Sequence, residues 1–235
     1  MIATKHFAPT ERAAQNLIDE SVPKDAILVT GNTVIDALFD VVKSINDSPS
    51  LQAKLDAELP AIDPSKKLIL VTGHRRENFG GGFERICESI RNLAQRHDTQ
   101  IIYPVHLNPN VRMPVERMLS GVKNVHLIEP LSYLTFVRLM SKAYIILTDS
   151  GGVQEEAPSL GIPVLVMREM TERPEAVIAG TVKLVGTDIA KITGEATILL
   201  TDKTAYAAMA FANNPYGDGK ACERIIEGLL SSRTA

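Results

Sequence analysis

Ala143-Tyr144-Ile145-Ile146-Leu147-Thr148-Asp149-Ser150-Gly151-Gly152 is the stretch whose reading decides the fold. Ala143 to Thr148 is a continuous apolar run, the pattern of a strand buried on both faces of a parallel sheet. Ser150-Gly151-Gly152 then makes a tight turn, Val153 to Leu160 has the composition of a short helix, and Pro163 to Met167 is a second buried strand. Strand, glycine turn, helix and strand compose a βαβ unit, whose turn lies at the carboxyl ends of the strands, where such sheets hold ligands. Adjacent glycines let a ligand approach the backbone, and the unpaired N–H groups opening a helix attract an anion such as phosphate. The same Gly-Gly pair also suits a turn that only reverses the chain, and the dipeptide alone does not separate the two.

Further candidate strands flank this unit: Ala26–Thr30, Leu68–Thr72, Gln100–Val105, Val125–Ile128 and Thr181–Val185. Helical patterns alternate with them, at Gly82–Arg96, Val111–Leu119 and Leu131–Ser141. The alternation predicts an α/β fold, a Rossmann-like doubly wound parallel sheet with helices on both faces and right-handed crossovers. The Pro-containing joints Asp47-Ser48-Pro49-Ser50 and Ile62-Asp63-Pro64-Ser65 read as loops within one domain. Near the start, the chain reverses at Phe7-Ala8-Pro9 and Thr10 caps a short helix through Ile18. Near the end, Asn213 to Gly219 is a turn, and the amphipathic helix after it, about Lys220 to Leu230, carries an apolar stripe of Ala221, Ile225 and Leu229 that needs a surface to pack on.

The 235 residues are 45% hydrophobic and 23% charged, which is ordinary for a globular protein. A net charge of −3 gives no electrostatic case for nucleic acid or an anionic membrane. No apolar run approaches the roughly 18 residues that span a bilayer. The first residues, Met1 to His6, lack the apolar core of a signal peptide, so the cytoplasm is the default address. Cys87 and Cys222 lie far apart on helical patterns and read as buried small hydrophobes. No HExxH, CxxC or Walker lysine loop is present, so neither a metal nor a bound cofactor is expected.

In such a sheet, four loops gather at the edge that holds Gly151. Thr72 to Gly82 presents His74, Arg75 and Arg76 before three glycines, a composition suited to phosphate because arginine donates in a planar fork. Solvated surface charge is the plain alternative. Val105 to Asn110 carries His106, a type that is also common as a hydrogen-bonded structural residue. Glu129 to Phe136 could offer an aromatic side chain to a nucleobase, although core packing equally suits Phe136. Glu155 and Glu156 could accept hydrogen bonds from vicinal hydroxyls, or could simply face solvent near a helix start. After the next strand, Arg173 faces the same crevice, while Glu172 and Glu175 are placed to cap or pair. Together these residues describe a crevice for an anionic, hydroxyl-bearing ligand such as a nucleotide sugar.

The blocks HFAPTERAAQNL (6–17), VTGNTVIDAL (29–38), LVTGHRREN (70–78), YPVHLNPNV (103–111), AGTVKLVGTD (179–188), NPYGDGKA (214–221) and the long segment from Leu147 to Val177 resemble the non-hydrolysing UDP-N-acetylglucosamine 2-epimerases. They run in that family's order and cover nearly the whole chain. The resemblance implies the C-terminal domain of a GT-B-like two-domain enzyme that interconverts UDP-GlcNAc and UDP-ManNAc for cell-surface polysaccharide biosynthesis. It implies that a base removes the C2 proton as UDP leaves C1, and that UDP adds back once the proton returns on the other face.

Position by position, the resemblance implies that His74 serves the leaving diphosphate and that Ser150, Gly151 and Gly152 hold phosphate oxygens. It gives Glu156 to the ribose, Phe136 to the uracil and Arg173 to the phosphate or sugar. Arg75 and His106 match positions that contact a second, activating UDP-GlcNAc. Family members are considerably longer. The expectation is therefore a remnant of an N-terminal domain at 1–22, a UDP-binding domain at 23–212 and a crossover helix at 213–235. The acidic residues for the C2 proton would come from elsewhere, and the chain would act as a homodimer or with a complementing N-terminal half. Two other readings stand beside this one: a UDP-sugar-binding module without turnover, and a UDP-sugar glycosyltransferase of the same fold.

Overall fold

The computed structural model describes residues 3–231. Met1 and Ile2, where the expected N-terminal segment begins, and 232–235, where the expected crossover segment ends, lie outside the described residues. In chain order the elements are β1 (His6–Ala8), α1 (Glu11–Asp19), β2 (Ile27–Val29), α2 (Thr33–Asn46) and α3 (Pro49–Ala57). There follow β3 (Lys67–Thr72), α4 (Gly81–Ala94), β4 (Thr99–Pro104), α5 (Pro109–Leu119), β5 (Val125–Ile128) and α6 (Tyr133–Met140). The last part holds β6 (Ile145–Thr148), α7 (Gly151–Ser159), β7 (Val164–Val166), α8 (Pro174–Ala179), β8 (Val182–Leu184), α9 (Ile189–Thr201), α10 (Lys203–Ala210) and α11 (Ala221–Ser231).

A six-stranded sheet runs in the order β5-β4-β3-β6-β7-β8, with every pairing parallel. From the central pair the chain winds outward in opposite directions: β3 to β4 to β5 on one side, β6 to β7 to β8 on the other. This reversal makes the β3/β6 boundary the topological switch point, and a crevice opens there beyond the carboxyl ends of the strands. Ile69 lies opposite Ile145 and Thr72 opposite Thr148, so both strands end level. The two threonine hydroxyls join at 2.6 Å.

Alternation along β3 explains why its residues are apolar on both faces. Ile69 and Val71 pack into a core with α4, α5 and α9, while Leu68 and Leu70 pack into a second core with α2, α6 and α7. β6 does the same, with Ile145 and Leu147 on the first side and Ile146 on the second. Fully burying each such side chain contributes about 1.5–3 kcal/mol, so these runs hold the switch point rigidly. The predicted doubly wound α/β sheet is the one observed, and Val125–Ile128 keeps its expected bounds. Among the described residues no helix is long and apolar enough to cross a membrane.

Several expectations change. Ala26–Thr30 does not join the main sheet: its Ile27–Val29 core pairs in parallel with His6–Ala8 as a separate two-stranded sheet. The supposed reversal at Phe7-Ala8-Pro9 is thus a strand end. Ser48-Pro49 is a helix start rather than a loop, because Ser48 accepts from the Leu51 N–H and Pro49 opens α3, where its missing N–H costs nothing. Cys87 is buried as expected, but Cys222 is exposed on α11 because the helix turns Ala221, not Cys222, inward. α11 itself lies on α2, and the Asp36 carboxylate accepts from the N–H groups of Ala221 and Cys222 at its open end. Its stripe is only partly covered: Ala221 is buried and Ile225 half-buried, but Leu229 is 48% exposed.

Candidate functional site

β6 ends at Thr148, and Ser150 sits at the N-cap of α7 in extended conformation. Its side chain makes no capping bond, and the first turn of the helix carries no acidic residue. The opening N–H groups of α7 therefore have no acidic partner within their own turn. Across from them runs the loop that follows β3, held in place by Asp149. This carboxylate is fully buried, and it accepts the His74 N–H at 3.0 Å to each oxygen, the Arg75 N–H at 2.9 Å and the Asn78 amide at 3.2 Å. Asn78 also reaches the Met167 carbonyl at 3.1 Å. A buried carboxylate with this many donors is satisfied, and the bonds lock the β3 loop onto the β6 turn.

The side chains converge accordingly. The Nδ1 of His74 lies 3.4 Å from Asp149, and its half-exposed ring stacks on His106 at 5.7 Å between centroids. His106 in turn accepts the Asn108 N–H on Nδ1 at 3.1 Å. Arg75 reaches from Nε to the Asp149 carbonyl at 3.3 Å and from Nη2 to Glu172 at 2.8 Å.

Glu172 occupies an informative place. A Cβ built on Gly151 would meet its Oε1 at 2.7 Å and Arg75 Nη2 at 3.5 Å, so a carboxylate lies directly before the glycine backbone. Its other oxygen pairs with Arg168, which is nearly buried and also binds Glu77 at 2.6 Å. The protein thus seats an anion of its own where a helix start and a guanidinium meet. Close approach of that kind is what Gly151 permits and any side chain would hinder.

Glu156 and Arg173 complete the rim. The Glu156 carboxylate lies over Gly152, 3.7 Å from where a Cβ would stand, and accepts the Tyr133 hydroxyl at 3.1 Å. Burial raises the Glu156 carboxyl above its ordinary value; the Tyr133 bond opposes this and the neighbouring Glu155 charge adds to it. Burial, with help from Glu156, pushes the Tyr133 phenol up to about 12. Arg173 binds Glu155, which is buried and also takes the Asn32 amide at 2.7 Å. These contacts and the bond from Thr171 to Gln154, 2.7 Å, fold the loop after β7 over the start of α7. Two cavities border the side chains around the turn rather than the turn itself: one of 410 Å³ is lined by Glu155, Glu172 and Arg173, and one of 530 Å³ by Glu77, Asn78 and Arg168.

The structure therefore brings together His74, Arg75, Ser150, Gly151, Gly152 and Glu156, with His106 stacked behind and Arg173 at the edge. Of the glutamate pair, Glu155 is buried and Glu156 half-buried. Phe136 stays half-buried against the α2-side core, and it is Tyr133, one turn earlier on α6, that reaches Glu156. Three roles were not read from the sequence: Asp149 as the staple, Glu172 as the seated anion and Tyr133 as the partner of Glu156. Asp149 left a signal, a lone acid between a buried strand and a glycine turn, and Glu172, expected to cap or pair, does pair, with Arg75 and Arg168. Among the described residues no group of three or more His, Cys, Asp or Glu is arranged to hold a metal ion.

Comparison with known proteins yields a family model, UDP-N-acetylglucosamine 2-epimerase, matching residues 1–230. A Yersinia pestis UDP-N-acetylglucosamine 2-epimerase is 61% identical over 97% of this chain and 61% of its own length. An Escherichia coli relative of the same description is 60% identical, over 99% of this chain and 62% of its own. Among solved structures, the Neisseria meningitidis UDP-GlcNAc 2-epimerase bound to UDP-GlcNAc superposes with a TM-score of 0.92 at 51% identity, covering 97% of this chain and 62% of that one. The Methanocaldococcus jannaschii enzyme in complex with UDP-GlcNAc and UDP gives 0.80 at 34% identity, over 98% and 62%. The chain thus spans a little over three-fifths of the length of these relatives.

Proposed function

The chain belongs to the UDP-N-acetylglucosamine 2-epimerase family, and from that premise we propose that it supplies the UDP-holding half of a reversible UDP-GlcNAc to UDP-ManNAc epimerisation. The observation that carries this reading is the carboxylate of Glu172 already seated before Gly151, with Arg75 reaching the same oxygen. A pyrophosphate would take that place, with Ser150 and the Gly151-Gly152 amides on its oxygens and Arg75 and His74 on the opposite side. Donors fixed in advance at a leaving group stabilise the charge that develops as its bond breaks. Glu156 would take the ribose hydroxyls, Phe136 would border the uracil, and Arg173, once freed from Glu155, would turn to the sugar or phosphate. Arg75 and His106, at the outer side, suit contact with a second UDP-GlcNAc.

In the reaction, a base removes the C2 proton while the C1–oxygen bond to UDP breaks, leaving an enzyme-held glycal. UDP then adds back to C1, and a proton returns to the opposite face of C2. The nearby acids of this chain are engaged elsewhere: Asp149 with the loop, Glu155 with Arg173 and Asn32, Glu172 with Arg75 and Arg168. The carboxylates for the C2 proton belong, on this reading, to the part of the relatives' length that these 235 residues do not span. That part could reside in the same polypeptide or in a partner, completing a GT-B-like pair of domains. The same engagement of acids favours a second reading, a UDP-sugar-binding module without turnover.

Calorimetry with UDP tests the shared step: saturable heat is expected, and no heat at millimolar UDP contradicts both readings. Solvent deuterium entering C2 of UDP-GlcNAc, in the presence of the complementing segment, separates them. Incorporation supports the epimerase, and UDP binding without incorporation supports the module.

A further inference from the structure

The carboxylate of Asp149 does more than staple two loops. It is completely buried, and besides the N–H groups of His74 and Arg75 it faces Nδ1 of the His74 ring at 3.4 Å. We propose that Asp149 is a positioning residue that holds the proton of His74 on Nδ1, leaving Nε2 as the nitrogen that meets the departing diphosphate. An ionised carboxylate only accepts hydrogen bonds, so a ring nitrogen facing it carries hydrogen. Nε2 then carries the lone pair: it takes up a second proton from solvent, and the resulting imidazolium donates from Nε2 to a diphosphate oxygen while Nδ1–H stays toward Asp149.

Two further features keep the ring in place. The His74 main-chain N–H donates to both oxygens of the same carboxylate, which fixes the Cα from which the ring swings. His106, stacked at 5.7 Å and inclined by 27°, covers one face of the ring. The charged and titratable groups around His74 are thus Asp149 from the end of β6, His106 from the loop after β4, and Arg75 beside it with Glu172 on its far end. Among the described residues, Asp149 is the charged partner found within 4 Å of Nδ1, at 3.4 Å. A neutral staple that merely accepted the loop's N–H groups would leave the tautomer of His74 unspecified.

The inference rests on the reading of the Gly151 turn as a diphosphate site, and its test is arranged so that the two fail separately. Long-range proton–nitrogen NMR on chain labelled at histidine nitrogen reads the tautomer directly, with His74→Gln assigning the signal among the five histidines. Nδ1–H is the expected form of neutral His74 in the unaltered protein, and a predominant Nε2–H form overturns the proposal without any carboxylate variant. In Asp149→Asn, which presents an amide donor as well as an acceptor, the signal is expected to move toward Nε2–H, and UDP affinity to fall at least fivefold. A variant that folds, keeps Nδ1–H and binds UDP unchanged overturns it as well. If the unaltered chain shows Nδ1–H but gives no heat with UDP, the diphosphate reading fails while the tautomer assignment stands.

Discussion

Gly151→Ala separates ligand binding from folding more sharply than any other single change. Gly151 is helical, so alanine there meets no backbone strain and should recover part of the ~0.5–1 kcal/mol by which glycine weakens a helix. The new methyl would stand 2.7 Å from Glu172 Oε1, which must swing away, loosening its pair with Arg75, while Arg168 keeps Glu77 as a partner. Both Arg75 and Glu172 are more than a third exposed, and such pairs contribute about 0–1 kcal/mol. The two effects offset each other, leaving stability within about 1 kcal/mol of the parent. A phosphate cannot swing away in the same manner without losing its amide. One hydrogen bond to a charged group is worth about 1.5–3 kcal/mol. At about 1.4 kcal/mol per tenfold, UDP should bind roughly 10- to 150-fold more weakly. Calorimetry read beside a thermal melt tests both halves. A variant that melts normally and binds UDP within twofold of the parent would refute the placement of the anion at Gly151.

The remaining predictions use other parts of the structure. Glu172→Gln removes the charge that competes for Arg75 and the start of α7, so UDP should bind several-fold more tightly; weaker binding in the same titration would mean that Glu172 touches the ligand. Tyr103→Phe deletes a buried hydroxyl that has no hydrogen-bond partner, so the melting temperature should hold or rise, whereas a clear fall would reveal a partner. Gly73→Ala would drive a Cβ to 2.9 Å from that hydroxyl and 3.2 Å from the Phe83 ring, both in the rigid core, and should cost about 1–3 kcal/mol in denaturant unfolding. Asp56 is held down to about 2, chiefly by the hydrogen bond from Arg138, so its contribution to stability is complete above its ordinary 3.8 and disappears as pH falls through about 2. Asp56→Asn should flatten that part of the acid-unfolding curve. For Glu156, whose carboxyl is raised by burial, the neutral acid is the form that folding favours; UDP affinity should improve as pH rises through the raised value, and Glu156→Gln should abolish the improvement.

The legibility of the fold followed burial. β3 and β6 are covered on both faces, so their apolar runs announced themselves, and with them the βαβ unit and its turn. The three-residue strands β1 and β2 carry too little pattern to say which sheet they join, and only their pairing decides it. Ser48-Pro49 contained its own signal, a capping hydroxyl before a proline, but a proline-containing joint also reads as a loop when no apolar stripe follows it clearly. At the site, the residue types were readable loop by loop. Their relations were not: Asp149 is 75 residues from His74 and Glu172 is 97 from Arg75, separations that no local pattern encodes. The Glu172 carboxylate lying on Gly151 and the Tyr133 hydroxyl on Glu156 depend on how the loops after β7 and β5 fold over α7.

Amide NMR during a UDP titration tests the account most directly, because it reports on the backbone groups said to hold the pyrophosphate. The signals of Gly151, Gly152 and His74 are expected to shift together and saturate. Saturable shifts confined to another face, with these amides unmoved, would contradict the account.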